Sequence, residues 1–133
     1  MKKKGSILEF THKRNDELME AYIGAMNQFG RIDVRDVAKR MVGTPCSRFW
    51  VSEERALAVI SAMENGRPLP ERMRKTKKAM YAEIYRRVKA LRVRSPWLTL
   101  RDIVTAVIYQ PAPCFYMNPR SAMEIIYRIR SGR

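Results

Sequence analysis

Histidine is almost missing from this sequence: His12 is the only one, and it stands near the start of the 133-residue chain. Without a second histidine there is no His/Cys metal constellation, no Ser/His/Asp triad and no Cys/His pair. Cysteine is scarce too. Cys46 and Cys114 are too few for a disulfide scaffold, do not occupy equivalent positions of the repeat described below, and read as free thiols of a reducing cytoplasm. Arg48 lies near Cys46, but a lone thiol with no histidine base reads as inert. The six glycines are scattered at element boundaries, so no glycine-rich loop leads to a Lys-Ser/Thr pair that could cradle a phosphate. Long apolar runs are absent as well. The basic opening MKKK is followed by Gly5, Ser6, Glu9, His12, Lys13 and Arg14, which leaves no room for the apolar segment of a signal peptide, and no later run is long enough to span a bilayer. These absences point to a soluble cytoplasmic protein that needs no metal or cofactor and is not an enzyme.

Acidic residues are the next shortage, and their distribution says more than their number. The chain carries 27 Lys and Arg against 13 Asp and Glu, a net charge of +14. Residues 1 to 66 hold 11 basic and 9 acidic residues, whereas residues 67 to 133 hold 16 and 4. The excess peaks in residues 67 to 94, where 11 basic residues face only Glu71 and Glu83. Such a block attracts polyanions by Coulomb steering and by release of condensed counterions, which makes nucleic acid the first partner to consider, DNA ahead of RNA. The competing reading is a solvated face, or one that meets an acidic protein.

What the chain does contain is a pattern used twice. PCSRFWVSEERALAVI, Pro45 to Ile60, returns 66 positions later as PAPCFYMNPRSAMEII, Pro111 to Ile126. The same offset places Glu17 on Glu83, Arg35 on Arg101, Asp36 on Asp102, Phe49 on Phe115, Ala56 on Ala122 and Gly66-Arg67 on Gly132-Arg133, without a gap. Half of this length would bury too little apolar surface for comfortable stability, so the halves are expected to share one core as a single domain over residues 1–133.

In chain order, residues 1 to about 12 read as a loose basic arm. Leu18, Tyr22, Ala25, Met26 and Phe29 fall at helical spacing, with Gly30 as the stop. Asp33 caps a second helix whose apolar stripe is Val34, Val37, Ala38 and Met41; Gly43 ends it and Pro45 keeps it from resuming. Arg48-Phe49-Trp50-Val51 is aromatic and β-branched and reads as extended, until Ser52 caps a third helix burying Ala56, Val59, Ile60 and Met63. After Arg67-Pro68-Leu69-Pro70 the order repeats. Met80, Ile84, Val88 and Leu91 line a fourth helix; Thr99 caps a fifth with Leu100, Ile103, Val104 and Val107 inside; Phe115-Tyr116-Met117 is extended; and Asn118-Pro119 starts a sixth burying Ala122, Ile125, Ile126 and Ile129. The expected fold is all-α: two tandem three-helix repeats, 13–66 and 79–132, joined by a basic linker 67–78 and packed about a pseudo-twofold axis. A short two-stranded β bridge between 48–51 and 114–117 would satisfy backbone groups that burial otherwise leaves unpaired, with Phe49 and Phe115 facing the core; aromatics at equivalent repeat positions read first as core anchors, and an outward Trp50 and Tyr116, stacking on exposed bases, is the lesser alternative that strand alternation offers.

The stretch Ser47-Arg48-Phe49-Trp50-Val51-Ser52-Glu53-Glu54-Arg55-Ala56 is similar to small duplicated proteins of Bacteroidetes genomes, some of which lie in mobile or prophage-like regions. The resemblance runs the full length, implies a mobile-element setting, and carries no activity and no functional residue.

Two candidate surfaces follow. Helix followed by helix suggests a helix-turn-helix variant, with Val34 to Val42 as support and Ser52 to Met63 as reader. The nine residues from Gly43 to Val51 and the acidic pair Glu53-Glu54 weigh against it; in the second copy Asn118, Arg120 and Ser121 remove the acidic obstacle. The second surface is the basic linker and fourth helix, with Lys75, Lys77, Lys78, Arg86, Arg87, Lys89, Arg92 and Arg94, joined by Arg120, as phosphate ligands. Arg35 and Arg101 sit in first turns, where a cation opposes the helix dipole, and an ion pair from Arg35 to Glu53 or Glu54 accounts for the first. The alternative to nucleic-acid binding is a non-catalytic interaction module for an acidic protein.

Overall fold

A computed structural model describes the backbone of residues 2–28 and 33–132, with side chains from Phe10 onward. Among these residues there are six α-helices and no strand: α1 (Lys2–Gln28), α2 (Val34–Val42), α3 (Glu53–Glu64), α4 (Lys75–Arg94), α5 (Leu100–Ile108) and α6 (Pro119–Arg130). Phe29 and Gly30, expected as the last anchor and stop of the first helix, lie outside the described residues. Helix α1 begins at Lys2 rather than near Lys13, so residues 2 to 12 of the expected arm are helical. Nothing between Lys2 and Lys13 is proline, and extending an existing helix needs no new nucleus.

The caps form where short polar side chains precede apolar periodicity. Asp33 Oδ1 accepts from the Arg35 N–H at 2.9 Å, Ser52 Oγ from the Arg55 N–H at 3.1 Å, Thr99 Oγ1 from the Asp102 N–H at 3.1 Å and Asn118 Oδ1 from the Arg120 N–H at 2.8 Å. Each satisfies a donor the helix cannot satisfy itself, which contributes about 1 kcal/mol. Gly66 and Gly132, following α3 and α6, both adopt φ 77, a left-handed conformation that glycine reaches without steric cost.

The chain divides into two compact units: unit 1 is 1–46 with 112–133, and unit 2 is the continuous stretch Ser47–Pro111. In unit 1, α1 packs on α2, and α6 packs on both. Leu18 and Ala25 of α1, Val37 and Met41 of α2, and Ala122 and Ile126 of α6 are buried there. In unit 2 the same roles fall to α4, α5 and α3, with Met80, Ile84, Val88, Ile103, Val107 and Ile60 buried. The third helix of each sequence half therefore belongs with the first two helices of the other half. The helix-turn-helix expectation pairs α2 with α3 as support and reader; α2 falls in unit 1 and α3 in unit 2, and likewise α5 falls in unit 2 and α6 in unit 1.

The bridging segments differ from expectation for a reason visible in the backbone. The Phe49 N–H donates to the Ile108 carbonyl and the Phe115 N–H to the Val42 carbonyl, both at 2.9 Å, so each segment is tied to a helix end of its own unit. Tyr116 has φ 53, which breaks an extended run. Among the described residues the β pairing that occurs is one antiparallel bridge within unit 1, Cys46 with Ala112, exchanging N–H···O=C bonds of 3.0 and 2.9 Å. Phe49 and Phe115 are buried as expected. Trp50 is buried as well, in line with the core-anchor reading and against the alternative of an outward ring, and Tyr116 is half-buried. Val34 and Ile129, assigned to apolar stripes, are exposed at the ends of their helices.

Candidate nucleic-acid interface

Helix α4 carries the basic block because its 20 residues contain neither glycine nor proline, while Pro70 precedes it and Ser95-Pro96 follows. Met80, Tyr81, Ile84 and Val88, at i, i+1, i+4 and i+8, bury one stripe against unit 2. The remaining circumference is left for charge. At about 1.5 Å per residue the helix is about 30 Å long.

Its start is built against ordinary helix electrostatics. The N-cap is Arg74, which makes no side-chain capping bond, and the first turn holds no acid. Lys75, Lys77 and Lys78 therefore stand at the positive end of the macrodipole, each opposed by a few tenths of a kcal/mol or more. Arg72 and Arg74 add exposed cations in the preceding turn. Among the described residues Arg72, Arg74, Lys75 and Lys78 make no side-chain hydrogen bond or ion pair, whereas Lys77 does have an interaction.

Further along, the cations are engaged inside the unit. Glu83 is the hub: Arg86 donates from Nε at 2.9 Å and from Nη2 at 2.6 Å, and Arg87 donates from Nε at 2.7 Å. Arg87, half-buried, also reaches Gln110 Oε1 at 3.2 Å and the Pro111 carbonyl at 2.9 Å, and its guanidinium lies 4.9 Å from the Phe49 ring centroid. Arg92 binds Glu64 of α3 through both carboxylate oxygens, at 2.5 and 2.6 Å. Lys89 lies 4.7 Å over the Tyr85 ring. Arg87 and Arg92 hold α4 to its neighbours, while Arg86 keeps an exposed guanidinium despite its partner. Arg94, at the far end, is exposed and without an ion pair among the described residues. Arg120 lies in unit 1, in the first turn of α6, and is exposed.

The hydrogen bond from Arg86, reinforced by Arg87 against some desolvation, lowers the Glu83 carboxyl from 4.5 to about 2. A carboxylate whose folded value lies below its unfolded value stabilises the fold fully above the unfolded value and loses that contribution as pH falls towards the folded one. Glu83→Gln is therefore expected to flatten the acid limb of stability: between about pH 4.5 and about pH 2 the variant should lose less melting temperature than the parent protein. Superimposable pH profiles would show that the Arg86 and Arg87 bonds do not form in solution.

Several residues singled out from sequence turn out to be structural. Arg48 is buried, donating from Nε to the Phe49 carbonyl at 2.9 Å and from Nη2 to the Val51 carbonyl at 2.7 Å, with its guanidinium 4.4 Å from the Tyr109 ring and 5.8 Å from Trp50. The Tyr109 hydroxyl donates to Glu53 Oε2 at 2.7 Å, a bond that raises the tyrosine's pKa by favouring its protonated form. Glu53 is thus engaged within unit 2, and among the described residues Arg35 makes no ion pair, contrary to expectation; neither does Arg101. The Cys46 thiol is buried and donates to the Cys114 carbonyl at 3.3 Å.

Three residues of interest escaped the sequence reading: Arg72, Arg74 and Trp97. The first two belong to the basic stretch but precede the helix. Trp97 is 77% exposed in the turn after α4, and Val93, in the last turn of α4, is 82% exposed. Its signal was there in Arg94-Ser95-Pro96-Trp97, an aromatic next to a cation just past a helix end. No described helix is long and apolar enough to cross a membrane, and among the described residues no three His, Cys, Asp or Glu side chains gather as metal ligands would. Comparison of the chain with known protein families, with curated proteins and with solved structures finds no match in any of the three.

Proposed function

We propose that the protein is a non-catalytic nucleic-acid-binding protein that grips phosphates through the start of α4 and the turn before it. The observation that carries this reading is the cluster Arg72, Arg74, Lys75 and Lys78: four cations at a helix's positive end, with no acid in its first turn and no partner for any of them among the described residues. Such a cluster opposes folding mildly and gains most from a polyanion. Lys77, Arg86, Lys89 and Arg94 extend the surface along the helix.

Salt titration tests it. Binding of the protein to a labelled DNA duplex of arbitrary sequence should weaken linearly on a log scale as salt rises from about 50 to 200 mM, and replacing Arg72, Arg74, Lys75 and Lys78 together by Ala should reduce the slope by about 3 to 4, close to 0.9 per lost phosphate contact. Arg86→Ala should change affinity much less, since its charge is already offset by Glu83. An unaltered slope in the fourfold variant, or no retention on DNA at low salt, would end this reading.

We also infer a tandem duplication with exchanged third helices and a local twofold between equivalent residues. Supporting it, α2 and α5 are nine residues each, and α3 and α6 twelve. The pairs Gln28 and Arg94, Val42 and Ile108, and Glu64 and Arg130, all helix ends, share one spacing of 66. Cys46 and Ala112, also 66 apart, exchange two hydrogen bonds as twofold mates do. The mobile-element setting belongs to the same proposal.

The reading as a module for an acidic protein is favoured by one feature of unit 1. An open groove of about 550 Å³ between α1, α2 and α6 is lined by Met19, Ile23, Met26, Met123 and Tyr127, with Arg130 at its edge donating to the Tyr22 hydroxyl at 3.2 Å. Flexible methionines suit adaptable docking, and the lone cation suits a carboxylate. Co-purification of an acidic protein, with no retention on DNA at low salt, would favour it.

A further inference from the structure

Trp97 is the large apolar ring that this fold leaves in water. Its side chain is 77% exposed, and among the described residues it makes no hydrogen bond and no ring contact. The other tryptophan, Trp50, is 5% exposed beside Arg48, so the chain can bury a tryptophan where it needs one. Nor does Trp97 sit on a loose segment. Pro96 restricts the backbone just before it, the Ser95 N–H donates to the Leu91 carbonyl at 2.8 Å, the Leu98 N–H donates to the Ser95 carbonyl at 3.1 Å, and Thr99 caps the helix that follows. The ring is held on a hydrogen-bonded turn between two helices.

The neighbours decide what such a ring suits. Arg94 ends α4 and Arg101 lies in the first turn of α5; both are exposed, and neither forms an ion pair among the described residues. Asp102 is the one acid in that first turn, and its backbone N–H is already used by the Thr99 cap. A hydrophobic protein interface wants contiguous apolar area, and among the described residues from Arg92 to Asp102 the exposed large apolar side chains are Val93 and Trp97, with Arg94 and Arg101 close by in the chain. An exposed aromatic ring that stands in the chain between two arginines without ion pairs matches a nucleotide: a base for the ring, phosphates for the arginines.

Resting on the nucleic-acid reading above, we propose that Trp97 is a stacking platform for an unpaired base, with Arg94 and Arg101 on the flanking phosphates, and that single-stranded nucleic acid is the ligand class of this surface. In a duplex the base faces are already stacked on one another. A duplex therefore meets only the cations, while a single strand meets the cations and the ring.

The two tryptophans make the experiment direct, because added quencher reaches Trp97 and not Trp50. Titrating the protein with oligothymidylate should quench Trp97 emission. Trp97→Ala should weaken oligothymidylate binding about 5- to 150-fold, leave duplex binding within about twofold and leave the salt slope unchanged, and Trp97→Phe should restore most of the loss. Circular dichroism of Trp97→Ala should match the parent protein, since the side chain supports nothing. If Trp97→Ala binds oligothymidylate as the parent does, with an ordinary salt slope, stacking is overturned while phosphate binding stands. If neither single strand nor duplex binds at about 50 mM salt, both readings fall. A blue shift of Trp97 emission with vesicles of phosphatidylcholine and phosphatidylserine, without any response to oligothymidylate, also overturns the proposal and assigns the ring to a membrane surface instead.

Discussion

Replacing Phe49 by Ala is expected to cost about 3 to 5 kcal/mol, the range for deleting a buried aromatic ring whose surroundings cannot collapse to fill the space. Phe49 is fully buried, its N–H is held by the Ile108 carbonyl, and the Arg87 guanidinium stacks over its ring. Removing the ring opens a cavity in the middle of unit 2 and strips Arg87 of its platform while leaving its polar partners in place. Unit 2 spans only Ser47 to Pro111, so its stability reserve is small and the loss approaches the whole of it. Chemical denaturation should show the midpoint shift, or outright loss of the cooperative transition; a destabilisation below about 1 kcal/mol would mean the ring is not packed as described. Phe115→Ala, at 3% exposure in unit 1, is expected to fall in the same range.

The second large effect comes from cutting the chain. If the sequence repeat were also the folding unit, residues 1–66 and 67–133 would each fold alone. The observed packing argues otherwise, because each of those fragments lacks the third helix that its first two helices cover and carries one whose buried face has no partner. Ala56 and Ile60 of α3 are completely buried, yet their unit is completed by α4 and α5. Fragments 1–66 and 67–133 are therefore expected to show little helix and no cooperative melt when kept apart as monomers. The stretch 47–111 contains α3, α4 and α5 without interruption and is expected to melt cooperatively on its own, at a lower temperature than the whole chain. Circular dichroism of the three fragments decides the matter. A monomeric, cooperatively folded 1–66 would refute the exchange of third helices.

Much of the chemistry of α4 was open to reading from spacing alone. Glu83, Arg86 and Arg87 stand at i, i+3 and i+4, where side chains on a helix meet, so their ion pairs could have been anticipated. Arg92 with Glu64 could not, because the two are 28 residues apart and on different helices. The same limit separates the two tryptophans. Trp50 follows Phe49 in a segment whose expected alternation turns one ring outward, and the packing buries both; Trp97 stands exposed, a difference that local pattern does not encode.

By itself the sequence determined the positions of six helices, apart from the first turns of α1, and four of their caps, because each depends on groups within a few residues of one another: a side-chain oxygen two or three positions before an N–H, apolar residues at 3.6-residue periodicity, a proline that denies a donor. Only the tertiary structure decided which third helix completes which unit and which cations are already engaged. An amphipathic stripe states that a helix must bury a face, and it says nothing of the face it will be buried against. Ala56 and Ile60 fit a partner at the i, i+4 spacing that Ala122 and Ile126 also present, so the selection rests on summed packing across elements distant in the chain.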